Sequence, residues 1–157
     1  MDNKIKAVSY YCANKYGTKY TPAGLEALYS LHYKGFDNVE IIEHIEDKYG
    51  EDIGYKRLLE MCHNNEITLV LIPSLSRVFN NISKAKDSIN EILGCSNQVS
   101  IFSALESMHF TDDEFTINYL KILTEIAERE SEQKSRAMIS YIYPRPRQIN
   151  HKKEEEQ

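Results

Sequence analysis

Ile67-Thr68-Leu69-Val70-Leu71-Ile72-Pro73-Ser74-Leu75-Ser76-Arg77 is the stretch of this chain that decides its fold. Residues 67–72 form a nearly continuous apolar run, which predicts a strand that is buried on both faces of its sheet. Such a strand needs helices packed on both sides. The segments before and after it should therefore include helices.

Strands and helices alternate on either side of this stretch. Helices are predicted after the Thr21-Pro22 start signal, around Leu58 and Leu59, and from Asn81 to Gly94. Strands are predicted at residues 4–12, 39–45, 67–72 and 99–104. This order predicts an α/β fold, a mainly parallel four- to five-stranded sheet with helices on both faces.

The last predicted helix is unusually long. It runs from about Thr111 to Tyr141 without Gly or Pro, which makes a rod of roughly 45 Å. A small domain cannot cover such a rod, so we expect its apolar stripe to contact another chain. The predicted interface residues are Phe115, Tyr119, Ile122, Ile126 and Met138. The expected organisation is an α/β core at 1–110, an interaction helix at 111–142 and a flexible tail at 143–157.

The composition argues against several other classes of protein. The three cysteines Cys12, Cys62 and Cys95 are far apart, and no His lies at a ligand spacing from a Cys or another His, so buried thiols and no metal or cofactor are expected. No apolar run has the length of a membrane span, and the N-terminus has no signal-peptide pattern. We therefore expect a cytoplasmic protein that does not bind membranes.

Basic residues are concentrated towards the C-terminus, although the net charge is -5. The candidate phosphate contacts in this segment are Lys134, Arg136, Arg145 and Arg147. A local basic segment of this kind is compatible with weak, salt-sensitive DNA binding. The alternative is a solvated tail.

Three segments together resemble one family. They are residues 4–13, residues 67–77 and the run Ala127-Glu128-Arg129-Glu130-Ser131. In their order and spacing they are similar to the catalytic domain of resolvase/invertase-type serine site-specific recombinases. The resemblance implies a resolvase-like fold. It also implies phosphoryl transfer, in which a serine attacks a DNA phosphodiester while arginines stabilise the transition-state charge.

The residues that would carry this chemistry are largely replaced. In the family the first strand ends in a pattern like Tyr-x-Arg-Val-Ser, and we first place its Ser on Ala13 and its Arg on Tyr11. Asn80 lies where the second arginine after the buried strand is usual, and Asp52 where a further arginine is usual. Only Arg77 keeps the expected identity, as a retained phosphate contact.

An acidic segment of the family is also altered. Gly50 lies at its usual serine, and Glu46 or Asp47 matches its acid. The catalytic site is therefore predicted to be degenerate. The sequence favours a non-catalytic recombinase-like protein that scaffolds or modulates DNA recombination as an oligomer with itself or with a related recombinase. An active recombinase with atypical residues, or an interaction module without a DNA role, are the alternatives.

Overall fold

A computed structural model of the protein describes residues 3–13, 19–78, 82–96 and 98–142. The predicted tail at 143–157 lies outside the described residues. The helices are α1 (Pro22–His32), α2 (Ile53–His63), α3 (Leu75–Val78), α4 (Ile82–Gly94) and α5 (Glu114–Ile142), with a 3-10 turn at Phe36–Asn38. The strands are β1 (Ile5–Cys12), β2 (Val39–Asp47), β3 (Leu69–Ile72), β4 (Ser100–Ser103) and β5 (Met108–Phe110).

The five strands form one sheet in the order β2-β1-β3-β4-β5. The pairs β1–β2, β1–β3 and β3–β4 are parallel, and β5 pairs with β4 in antiparallel orientation. The predicted α/β class and mainly parallel sheet are confirmed. The antiparallel β5 gives the sheet its fifth strand, and its three residues carry too short a pattern to show in the sequence.

Helices cover both faces of the sheet, as expected. On one side, Ser9 of β1 hydrogen-bonds to Tyr29 of α1 at 2.7 Å between hydroxyl oxygens. On the other side, the ring of Tyr10 packs against Tyr55 of α2, with centroids 6.1 Å apart. All four residues of β3 are buried, which confirms the interpretation of its apolar run.

The long helix α5 begins at Glu114, three residues later than expected. Asp113 lies before the helix and its carboxylate accepts a hydrogen bond from the Thr116 backbone N–H at 2.8 Å. Thr111 donates its hydroxyl to the same carboxylate, so residues 111–113 cap the helix rather than form its first turn. These two bonds lower the pKa of Asp113.

The chain divides into two compact units, Met1–Thr124 and Glu125–Gln157. The sheet and the first turns of α5 belong to the first unit, in which Thr116 and Leu120 are buried. The division between these units falls within α5, and the expected core at 1–110 and interaction helix at 111–142 stay predictions. None of the described helices combines the length and apolar character needed to cross a membrane.

Candidate functional site

A pocket opens at the carboxyl ends of the central strands. In this strand order the chain reverses direction across the sheet between β1 and β3, and open parallel sheets bind ligands beside such a point. The pocket has a volume of about 310 Å³. Its lining residues are Tyr10, Cys12, Gly50, Glu51, Asp52, Tyr55, Val78, Lys84 and Ser88.

Asp47 fixes the elements that form one wall of the pocket. Its side chain is 2% exposed and accepts three hydrogen bonds, from the Tyr10 hydroxyl at 2.7 Å and from the Gly54 and Tyr55 backbone N–H groups at 2.6 and 2.9 Å. Its backbone carbonyl accepts the Ala13 N–H at 2.8 Å. One residue thus ties the end of β1 to the start of α2. Glu46 and Asp47 were the two candidates for the acid of the family, and Asp47 is the one that lies at this junction.

Among the described residues of the lining, carboxylates outnumber ammonium groups. Glu51 and Asp52 supply carboxylates from the loop before α2, and Lys84 supplies one ammonium group from α4. Asp52 is exposed and pairs with Lys56 at 3.5 Å. Gly50 has a φ of 80°, a left-handed conformation that favours glycine, so a serine there would be strained. Two sequence-predicted positions, Gly50 and Asp52, therefore do belong to the pocket.

The structure does not bring Ala13 and Tyr11 into this pocket. Both are buried, and Tyr11 donates its hydroxyl to the Tyr20 carbonyl on the side of the sheet that α1 covers. Neighbouring residues of a strand face opposite sides, so the pocket-facing residues of β1 are Tyr10 and Cys12. Ser9 is fully buried on the α1 side, as its hydrogen bond to Tyr29 requires. It offers no nucleophile to the pocket.

Cys12 faces the opposite side of β1 from Ala13, and that side is the pocket side. Burial raises the pKa of its thiol, and the Asp47 carboxylate raises it further, while Lys84 lowers it by a smaller amount. The thiol is consequently protonated at neutral pH and is a weak nucleophile.

The other candidate DNA contacts lie apart from this pocket or outside the described residues. The backbone of Arg77 is in α3, but its side chain is outside the described part, as are Asn80, Arg145 and Arg147. Lys134 and Arg136 are exposed on α5. Their predicted DNA contacts remain predictions.

The predicted interface residues of α5 are mostly exposed. Phe115, Ile122, Ile126 and Met138 are 64, 55, 48 and 65% exposed. Tyr119 is half-buried, and its ring stacks on Phe115 and also meets Phe110. The interface itself stays a prediction.

Among the pocket residues missed in the sequence are the three from within α2 and α4: Tyr55, Lys84 and Ser88. They come from the predicted helices α2 and α4, and only the packing of these helices on one face of the sheet brings them to β1. Among the described residues no group of three or more His, Cys, Asp or Glu side chains is placed to hold a metal ion.

Two solved structures share this architecture. A resolvase family site-specific recombinase from Streptococcus pneumoniae is 21% identical, with a TM-score of 0.58, and the match covers 88% of this chain and 99% of that one. This is the fold of a resolvase-like catalytic domain. The N-terminal catalytic domain of TP901-1 integrase is similar too, with 18% identity, a TM-score of 0.58 and coverage of 82% and 98%. No family model and no curated protein matches the sequence.

Proposed function

We propose that this resolvase-like chain takes part in DNA recombination as a non-catalytic scaffold or modulator that acts as an oligomer. The fold likeness supports the connection with recombination. The observation that carries the loss of catalysis is the pocket lining, where Glu51 and Asp52 stand with Lys84 and the described strand residues contribute no cation.

Phosphoryl transfer to a protein hydroxyl requires two things of such a pocket. It needs a nucleophilic oxygen next to the phosphate, and it needs cationic groups that stabilise the charge developing in the transition state. A carboxylate at the position of Asp52 repels the phosphate instead. Among the described lining residues, β1 contributes Cys12 and Tyr10 rather than a serine or an arginine, and Lys84 is the one cation beside the carboxylates of Glu51 and Asp52.

The residues of β1 that line the pocket favour a different alignment of the family pattern with this strand. Moved one residue along, Tyr-x-Arg-Val-Ser falls on Tyr10, Cys12, Ala13 and Asn14 for its Tyr, Arg, Val and Ser. This placement keeps the Tyr, and the residues at its Tyr and Arg are those that line the pocket. Asn14 lies outside the described residues, but its side chain has no hydroxyl. Both placements therefore remove the nucleophile and the arginine of the first strand.

The exposed apolar residues of α5 support the oligomeric part of the proposal. Ile122 and Ile126 are one helical turn apart and about half exposed, so a second copy or a related recombinase could cover both. We expect DNA binding to centre on the basic segment beginning at Lys134, with Arg77 as the other candidate contact, and to be weak and salt-sensitive.

A covalent-capture assay tests the loss of catalysis. The purified chain is incubated with supercoiled plasmid and with duplexes of random sequence, then run on a denaturing gel. We expect no nicking and no protein–DNA adduct. Ala13→Ser and Asn14→Ser, alone or combined, should not restore an adduct, because Asp52 and Cys12 leave the transition-state charge uncompensated. An adduct formed by the unaltered protein would refute the proposal.

The scaffold role needs a separate experiment. The full chain is tagged in its native cell and its partners are identified after mild cross-linking, with and without nuclease treatment. Recovery of a recombinase in both conditions supports a protein-mediated role. Recovery of unrelated proteins with no DNA or recombinase would favour the interaction module without a DNA role.

A further inference from the structure

The thiol of Cys95 meets an imidazole away from the pocket, at the C-terminal ends of α2 and α4, and a second thiol precedes that imidazole in the chain. Cys95 directly follows α4, and its sulfur lies 3.4 Å from Nε2 of His63, the last residue of α2. The same sulfur lies 3.2 Å from the Glu91 carbonyl oxygen, the alternative acceptor of its single proton. Cys62 precedes His63 and is fully buried, whereas Cys95 is partly exposed. The sequence interpretation of three separate buried thiols is therefore wrong for Cys95.

Packing between α2 and α4 brings the two cysteines near each other. Tyr55 and Cys62 are seven residues apart, two helical turns, and so lie on one face of α2. The Tyr55 hydroxyl donates to the Glu91 carboxylate at 3.0 Å. The face of α2 that carries Cys62 thus packs on the last turn of α4, one turn before Cys95. Consistent with this, Cys95 is close enough to contribute to the raised pKa of Cys62, which burial mainly causes.

We infer that Cys95 and Cys62 form a redox-active dithiol that closes an intramolecular disulfide, with His63 as the base. The co-reactant is a low-molecular-weight disulfide. The sulfur of Cys95 attacks one sulfur of that disulfide and loses its proton to His63, which gives a mixed disulfide and one released thiolate that takes up the proton. Cys62 then attacks the Cys95 sulfur and releases the second small thiol. Two protein thiols are oxidised and one small disulfide is reduced to two thiols.

The order of attack follows from exposure. Cys95 is reachable from solvent and acts first, and Cys62, with 0% exposure, can only resolve the mixed disulfide from inside. Burial raises the pKa of Cys62 to about 12, and burial together with the Glu91 carboxylate raises that of Cys95. Both thiols are protonated at neutral pH, so a base in contact with Cys95 matters for the rate.

Closure of this disulfide would link the two helices that form walls of the pocket. Tyr55 on α2 and Lys84 and Ser88 on α4 line it. A covalent link between α2 and α4 would hold these walls at a fixed separation. The inference does not depend on the proposed function, since it concerns thiols that lie outside the pocket.

The test uses the reduced full chain in a glutathione redox buffer, followed by intact mass and peptide mapping. We expect the loss of two hydrogens, one peptide joining Cys62 to Cys95, and a melting temperature raised by at least about 5 °C. Cys12→Ser, the matched control, should form the same Cys62–Cys95 disulfide. Cys62→Ser should stop at glutathione on Cys95, Cys95→Ser should form neither product, and His63→Gln should slow closure severalfold.

Several results would overturn the inference. Three free thiols that persist in oxidised glutathione would do so, as would a disulfide that joins only separate chains or that requires Cys12. Since serine variants of buried Cys62 can lose stability, circular dichroism of every variant accompanies the mapping. If Cys62→Ser is unfolded, Cys62→Ala replaces it, and failure of glutathione to attach to Cys95 in a folded variant rejects the proposed order.

Discussion

Removing the Asp47 carboxylate should be one of the most damaging single changes in this protein. The side chain is 2% exposed and accepts hydrogen bonds from Tyr10, Gly54 and Tyr55. In Asp47→Ala these three donors lose their partner, and each unsatisfied buried donor costs about 1–3 kcal/mol. Water from the adjoining pocket can satisfy part of the loss, so we expect a total of about 3–5 kcal/mol.

Asp47→Asn separates the charge from the hydrogen bonds. The amide keeps one oxygen for the Gly54 N–H, and its NH2 group can donate to the Tyr10 hydroxyl, which also accepts. The amide nitrogen then faces the Tyr55 N–H, and one donor stays unpaired. We expect a loss of about 1–2 kcal/mol, clearly smaller than that of Asp47→Ala.

Urea unfolding followed by circular dichroism measures both changes. Asp87→Ala on the exposed surface of α4 is the control and should stay within about 0.5 kcal/mol of the unaltered protein. The slope with urea should be unchanged, since the fold is the same. If Asp47→Ala and the control have the same midpoint, the carboxylate does not hold β1 to α2, and the account of this wall of the pocket is wrong.

Three further changes test other parts of the structure. Gly54→Ala should destabilise the protein by about 1–3 kcal/mol because the new Cβ would lie 2.6 Å from Ile45 Cγ2. Gly94→Ala, whose Cβ would have nothing within 4 Å, should be neutral or stabilising, and paired urea unfolding curves compare the two variants. Partial burial lowers the pKa of His109, so the folded state binds a proton at this residue less readily than the unfolded state does. The free energy of unfolding should therefore fall as the pH drops below about 6.5, and it should fall less in His109→Phe. Ile126→Asp should dissociate the proposed oligomer, and light scattering that shows a monomer before the substitution contradicts the interface.

The sheet was predictable because the apolar run of β3 indicates, from local sequence alone, a strand that lies in the middle of a sheet. A strand buried on both faces implies helices on both faces, and the alternation of elements supplies them. The strand β5 was not predicted because three residues are too few to show the alternation of polar and apolar residues that is typical of a strand. Its pairing with β4 depends on the turn at residues 104–107 and on Phe110, which is fully buried.

The same burial explains why the sequence could not decide which residues of β1 face the pocket. From Ala7 to Tyr11 every residue of this strand is buried, so polar and apolar residues do not alternate and the sequence gives no phase. Tyr11 and Tyr10 are equally plausible as pocket residues under such a pattern. Only the position of α2, where Tyr55 meets Tyr10, shows which side of β1 faces the pocket.

The pocket also persists for reasons separate from catalysis. One wall of the pocket is stabilised by Asp47, which accepts hydrogen bonds from two backbone N–H groups at the start of α2 and from the hydroxyl of Tyr10. These bonds stabilise the fold whether or not a phosphate ever enters. A cluster of arginines at the same place would add mutual repulsion, a stability cost that is tolerated only where activity requires it. Under the proposed loss of catalysis, the chain is expected to lose the cations and keep the acid, and Cys12 in the pocket lining with Asp47 bonded to Tyr10 fits that expectation.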